Sequence, residues 1–289
     1  MATASLMRAS FASIVLSLVL ACVSARAETR AWTRLNAEPF ERRPCALQRY
    51  DASALDVKTF DDYFRASGVP VVVRGLTPLR ARTLERVRRE KLLEALGDEF
   101  VTLSSSNTHS RGRRRKTLRA YVEEDVRMSQ RGSTDATETW YWFGEHVEEG
   151  GEMSRGLKEI LETYENLPYV PRDADVAYSF GVGGGFSGVP FHTHGPGWSE
   201  SLIGRKHWFL SAPSATPRFD PNVTTYEWAL DALKRGELHE GGAILECTVN
   251  EGEAIYFPPN WWHATLNLDE SVFISSFVNY KSDARWEEL

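Results

Sequence analysis

Two histidines separated by one residue stand in Phe191-His192-Thr193-His194-Gly195. A third stands far along the chain in Asn260-Trp261-Trp262-His263. Neutral imidazole is the commonest side-chain metal ligand. In an extended strand residues i and i+2 point to one face, so His192 and His194 aim two rings at one point. His263, arriving from a distant strand, completes a facial set that leaves positions open for substrate or oxygen. His109, His146, His207 and His239 lack any such surrounding pattern and read as surface or packing residues.

The elements that must position these rings are mostly strands. After Val176 the pattern predicts strands over 176–180, 189–194, 201–210, 244–249, 254–257, 264–266 and 272–278, with one helix over 226–235. Asn250-Glu251-Gly252 supplies a tight turn. Many strands with turn signals and no alternating helices imply an antiparallel sandwich or barrel. The first half is richer in helix, over 59–67, 82–96, 118–126 and 157–164, with strands at 69–76, 101–103 and 140–143. Thr59 and Asp62 form a capping-box pair, and Gly68 and Gly97 are stops. These helices are expected to cap the barrel from outside. The glycine-rich run Gly181 to Gly188 lacks the lysine of a phosphate loop and opens no helix, so it reads as a mobile hairpin loop beside the histidines.

The N-terminus predicts export. Phe11 to Ala25 is apolar and Ala25-Arg26-Ala27 is a small-x-small cleavage pattern, so 1–27 reads as a signal peptide, too short for a membrane span. Cap, core and tail follow at 28–175, 176–280 and 281–289. Cys22 leaves with the signal. Cys45 and Cys247 remain, either as one disulfide or as two separate buried thiols. Asn222-Val223-Thr224 is a glycosylation sequon in a proline-rich loop, expected to be exposed and used. Trp286-Glu287-Glu288-Leu289 resembles a KDEL-type retrieval signal only faintly, so secretion stands beside lumenal residence. The basic run Arg111-Gly112-Arg113-Arg114-Arg115-Lys116 reads as a solvated loop, with a proprotein-convertase site as the alternative. The formal net charge is -6, and losing Arg8 and Arg26 with the signal makes it -8. That balance argues against a nucleic-acid partner.

Three motifs in order carry a family resemblance: Gly188-Val189-Pro190-Phe191-His192-Thr193-His194, Ile203-Gly204-Arg205-Lys206-His207-Trp208-Phe209-Leu210, and Gly252-Glu253-Ala254-Ile255-Tyr256-Phe257-Pro258-Pro259-Asn260-Trp261-Trp262-His263. They resemble the jumonji-C (JmjC) branch of the cupins. The flanking runs Gly195-Pro196-Gly197, Leu245-Glu246-Cys247-Thr248 and Ala264-Thr265-Leu266-Asn267-Leu268 resemble its endoplasmic-reticulum-lumenal subfamily. The resemblance implies a mainly β fold, the double-stranded β-helix or jelly roll. It implies Fe(II), 2-oxoglutarate and O2 as reagents, hydroxylation of a protein side chain, and residence in the lumen. His192 falls on the family's first histidine and His263 on its last. Lys206 falls on the cation that pairs with the distal carboxylate of 2-oxoglutarate, and Tyr141 on a further carboxylate contact. The acidic ligand belongs two residues after the first histidine, and here that residue is His194. Three neutral histidines also suit Zn2+. Val189 stands where many relatives place a hydroxyl residue. Trp198 stands where asparagine is common, and is expected to narrow the cavity. Two further readings follow from these departures: a non-catalytic lumenal protein that binds a partner, and a three-histidine metal enzyme that does not use 2-oxoglutarate. Oligomeric state is not legible.

Overall fold

A computed structural model describes residues 31–126, 139–143 and 153–280. The expected signal peptide, the tail and His146 lie outside the described residues. Two β-sheets face each other. The larger has the strand order β1-β2-β10-β7-β12-β6-β5-β3-β4, and the smaller is β11-β8-β9. Their strands are β1 (Gln48–Asp51), β2 (Val71–Arg74), β3 (Phe100–Ser105), β4 (Arg113–Thr117), β5 (Trp140–Phe143), β6 (Asp175–Gly183), β7 (Gly197–Ile203), β8 (Lys206–Ser211), β9 (Leu245–Val249), β10 (Glu253–Phe257), β11 (Trp262–Asn267) and β12 (Ser271–Asn279). All pairings are antiparallel except β1 with β2. This is a jelly roll. Strands from the first half of the chain join its large sheet, where β2 pairs with β10 and β5 with β6.

Alternation along the strands sorts side chains between the sheet interior and the outer layers. Ser199 of β7 faces inward, while Trp198 and Glu200 face out. Helices cover the outer faces. The segment α1 (Val57–Thr59) continues as a π-turn over Phe60–Arg65 and lays Phe60 and Phe64 on Trp198 and Tyr256. Asp56 caps it by accepting the Thr59 N–H at 2.8 Å, so the helix starts before the expected Thr59 cap. The expected helix over 82–96 is two helices, α2 (Ala81–Val87) and α3 (Arg89–Leu96), separated by extended Arg88. Nothing in the local sequence signals that break. Two short helices follow, α4 (Leu118–Ala120) and α5 (Arg155–Leu161). Finally α6 (Thr225–Lys234) packs Trp228, Ala229 and Ala232 against Phe209, Ala264 and Leu266 on the outside of the small sheet.

Three other expectations are corrected. The basic run is not a loop: Arg113–Thr117 is an edge strand paired with β3, and Arg114 and Lys116 are neutralised by Asp125. The expected strand 201–210 is two strands, turning at Gly204 with φ +73. The expected strand 189–194 is no regular strand. It runs beside β11 through Asn267 N–H to Ser187 O, Thr265 N–H to Val189 O, and a double hydrogen bond between His192 and His263. Three residues on one side thus span two on the other, a bulge at Pro190, which has no N–H to give the ladder.

The N-terminal segment straps the small sheet. Cys45 and Cys247 are joined by a disulfide. Arg43 binds Glu246, and buried Arg205 binds Asp269 and Glu41. The glycine run is packed rather than mobile. A Cβ on Gly181 would meet the Phe273 ring at 2.3 Å, and one on Gly188 would meet the Thr265 carbonyl at 1.8 Å. Gly181→Val is therefore expected to lower stability by roughly 1–3 kcal/mol through overpacking. Urea unfolding followed by tryptophan fluorescence reads the loss, and an unchanged midpoint would refute the packing argument.

Candidate metal centre

His192 and His194 sit on the bulged segment and His263 on β11, at the inner face of the jelly roll. Ring centroids are 4.2 Å apart for His192–His263, 4.6 Å for His194–His263 and 5.3 Å for His192–His194. One ligand nitrogen from each lies within 4.8 Å of the others. The sequence placed these rings together through strand alternation. The structure brings them together through the bulge and the bridge between His192 and His263 instead.

Their tautomers follow from their partners. Nδ1 of His192 contacts Pro190 O at 2.7 Å, Nδ1 of His194 contacts Gly195 O at 2.7 Å, and Nδ1 of His263 contacts Trp261 O at 2.9 Å. A carbonyl only accepts, so each Nδ1 carries the proton. Each Nε2 is then a bare lone pair. Nε2 of His194 and Nε2 of His263 stand 3.0 Å apart. Two lone pairs at that distance repel unless a cation lies between them. The separation is below twice an imidazole–metal bond of about 2.0–2.1 Å, so one ion can touch both. Such backbone partners are the kind that orient metal-bound histidines. The residues fit a divalent metal.

Burial keeps the rings neutral. It lowers His192 to about 4, with His194 adding to the effect. His194 is lowered by burial, and His263 is lowered well below its ordinary value by burial and then by His192 and His194.

The three rings line a small inner cavity with Lys206, Trp208, Ser199, Thr265, Ser275, Val189 and four phenylalanines. Lys206 is buried, and its Nζ lies 3.0 Å from the Phe273 ring centroid. Burial pushes its ammonium well below the usual lysine range, and no carboxylate pairs with it among the described residues. Ser275 donates to Ser199 at 3.0 Å, and Thr265 Oγ1 accepts the Val189 N–H at 3.2 Å. Thr265 thus brings a hydroxyl beside Val189. His194 also lines a wider outer groove with Thr193, Pro196, Asn260 and Phe277.

Two sequence expectations are corrected. Trp198 does not narrow the cavity, because alternation turns it outward onto Phe60, Tyr169 and Tyr256. Tyr141 is buried, with its hydroxyl pushed up to about 12 by burial, but it is absent from the cavity wall. Phe143, two residues along the same face of β5, lines the wall instead. Trp208, Ser199, Thr265 and Ser275 were missed as cavity residues. Counting two from Lys206 and two from His263 finds Trp208 and Thr265. His207 faces outward to Thr248 and Glu246, as a packing residue should.

A histidine held neutral in the fold but ordinary when unfolded stabilises the fold fully above pH 6.5. That contribution is lost as pH falls towards about 4. The metal-free protein should therefore lose stability across this window, read as a falling urea midpoint. His192→Asn should flatten the fall. Equal slopes in both proteins would show that His192 is not held neutral.

Comparison with known proteins agrees with this geometry. A family model described as a cupin-like domain matches residues 57–283. The chain is 42% identical over 209 residues to JmjC domain-containing protein 8 of Rattus norvegicus, covering 72% of this chain and 74% of the relative. It is 24% identical over 286 residues to the bifunctional arginine demethylase and lysyl-hydroxylase psr-1 of Caenorhabditis elegans, covering 87% and 67%. It is 32% identical over 100 residues to the human 2-oxoglutarate and iron-dependent oxygenase JMJD4, covering 31% and 24%. The chain belongs to the cupin-like family, in its JmjC branch.

Proposed function

We propose that this chain is a metal-dependent oxygenase of the secretory pathway that hydroxylates a protein side chain. The observation that carries the reading is the convergence of His192, His194 and His263, one ring nitrogen from each within 4.8 Å of the others, on one cavity that also holds the buried Lys206 ammonium. His192, His194 and His263 would hold Fe(II), and Lys206 would pair with the distal carboxylate of 2-oxoglutarate. Bound together, metal and cosubstrate would supply the oxidising power for a C–H bond. The chain's own part is to bind and exclude. Lys206 gains an anionic partner that its burial demands. The Ser199 and Ser275 hydroxyls offer hydrogen bonds. Phe143, Phe257, Phe273 and Phe277 keep water out of the inner cavity. A protein substrate would reach the metal through the outer groove beside His194. The names of two relatives, a lysyl-hydroxylase and a 2-oxoglutarate and iron-dependent oxygenase, support this class.

A second reading is favoured by the neutral ligand set: a three-histidine centre, with Zn2+ or iron, that does not use 2-oxoglutarate. In its non-catalytic form the same fold binds a protein partner. Metal analysis of purified protein, followed by 2-oxoglutarate decarboxylation with added Fe(II), separates these readings. The oxygenase should bind about one metal per chain and release succinate and CO2, with both lost in His263→Ala. Metal that binds without any response to 2-oxoglutarate selects the second reading.

Residence in the endoplasmic reticulum lumen is part of the proposal. The apolar N-terminal run, the joined Cys45 and Cys247, and the exposed Asn222 support it. Among the described residues no helix is long and apolar enough to cross a membrane. Asn222 lies in a loop before α6, with Thr224 as that helix's N-cap. Protein made in a secretory host is expected to drop in mass on glycosidase treatment, and Asn222→Gln should abolish the drop. A wild-type chain without any shift contradicts this location or the use of this sequon.

A further inference from the structure

Among the described residues, the inner cavity holds donors and a cation, but no acid. Its polar wall consists of the three histidines, Lys206, Trp208, Ser199, Ser275 and Thr265. Trp208 is 3% exposed, and its indole N–H is buried without a hydrogen-bond partner. Indole N–H and ammonium can only donate. A buried donor without an acceptor is costly, so the cavity is built for something rich in acceptors.

The charges lead to the same place. A divalent ion on three neutral imidazoles, together with the Lys206 ammonium, places three positive charges within one cavity. A dicarboxylate such as 2-oxoglutarate returns two. The walls of Phe143, Phe257, Phe273 and Phe277 screen the remainder poorly. An aspartate at position 194 would have removed it.

We infer that the centre takes one carboxylate in addition to its dianionic cosubstrate, met by the metal's uncompensated charge and by the unpartnered Trp208 indole N–H. This rests on the proposed reading in which the three histidines hold a metal and Lys206 holds 2-oxoglutarate. The carboxylate comes either as a free ion or as an acidic side chain of a protein lying in the groove that His194 shares with the cavity. Metal-loaded protein therefore prefers ligands carrying more negative charge than a site with an acidic ligand would accept.

Co(II) titration of the full chain with 2-oxoglutarate held at saturation, followed by absorbance in perchlorate medium, tests this. Acetate, or a capped Gly-Asp-Gly peptide, should tighten Co(II) binding about tenfold or more, while the Gly-Asn-Gly counterpart does nothing. A peptide effect well above that of acetate identifies a side chain as the source, and equal effects identify the free ion. His194→Asp should bind Co(II) tightly with no response to carboxylate. Trp208→Phe should show a smaller tightening by acetate, measured relative to its own affinity in perchlorate, than the wild type shows. Wild-type affinity that ignores carboxylates overturns the inference while leaving the metal centre standing. Failure to bind Co(II) in every medium overturns both.

Discussion

The Nδ1 protons of His192, His194 and His263 are each committed to a backbone carbonyl no more than two residues away. A ring held this way cannot swap tautomer without leaving a carbonyl unpaired and setting a proton where a lone pair now points. The orientation of the ligand set is therefore written into the local backbone of 190–195 and 261–263, and not into a network of distant side chains. Regular pairing would have tied those same stretches into the ladder. Pro190 prevents that by breaking the run beside β11, and the two hydrogen bonds between His192 and His263 then fix the register. The irregular backbone thus supplies the geometry of the site.

The rest of the fold holds the two sheets at the spacing this geometry needs. Lys206 and His263 lie on neighbouring strands of the small sheet, β8 and β11, while Phe273 and Ser275 face them from β12 of the large one. Gly181 lets the Phe273 ring lie against the sheet beneath the Lys206 ammonium. On the far side of the large sheet, Glu200 and Arg80 form an ion pair, both side chains almost fully buried, and Tyr164 donates to the same carboxylate at 2.9 Å. Burial raises Glu200 and Arg80 opposes that rise, as expected of a charge kept only because it is paired. This pair anchors the turn before α2 to β7, directly behind Ser199. The strap from Leu35 to Cys45 performs the same service for the small sheet through Arg205, Arg43 and the disulfide.

Much of this was legible in the sequence. Strand alternation and turn signals gave the β-rich second half, and three ordered motifs gave the jelly roll and the histidine set. What failed did so for identifiable reasons. The segment 189–194 looks like a strand by composition, yet a proline within it costs a ladder bond, and the bulge follows. The basic run looks like a loop because its five cations repel. Asp125 and Glu124, contributed by the next turn, make it tolerable as an edge strand. Trp198 was assigned inward by motif position, whereas alternation turns it out; Tyr141 shares a face of β5 with Phe143, and Phe143 is the one that lines the wall. Trp208 carries no motif signal beyond its spacing from Lys206, and only burial reveals that its N–H lacks a partner. Apolar periodicity runs through Arg88 unbroken, so the division of α2 from α3 is a tertiary fact.

His194 remains the residue on which the chemistry turns. A carboxylate in its place would lower the charge of the centre and bind a divalent ion more strongly by direct attraction. A histidine keeps the same reach and a nitrogen lone pair, but leaves the ion's charge to be met by whatever enters the cavity. The neighbours are consistent with that arrangement. Phe257 and Phe277 pack edge-on against the His194 ring at 5.0 and 4.9 Å, an apolar setting that suits neutral imidazole. The substitution is therefore matched by its surroundings. With a metal bound as proposed, its effect would be to transfer negative charge from the protein to the ligand, so that the occupant of the site, and not the fold, would complete the electrostatics of the centre.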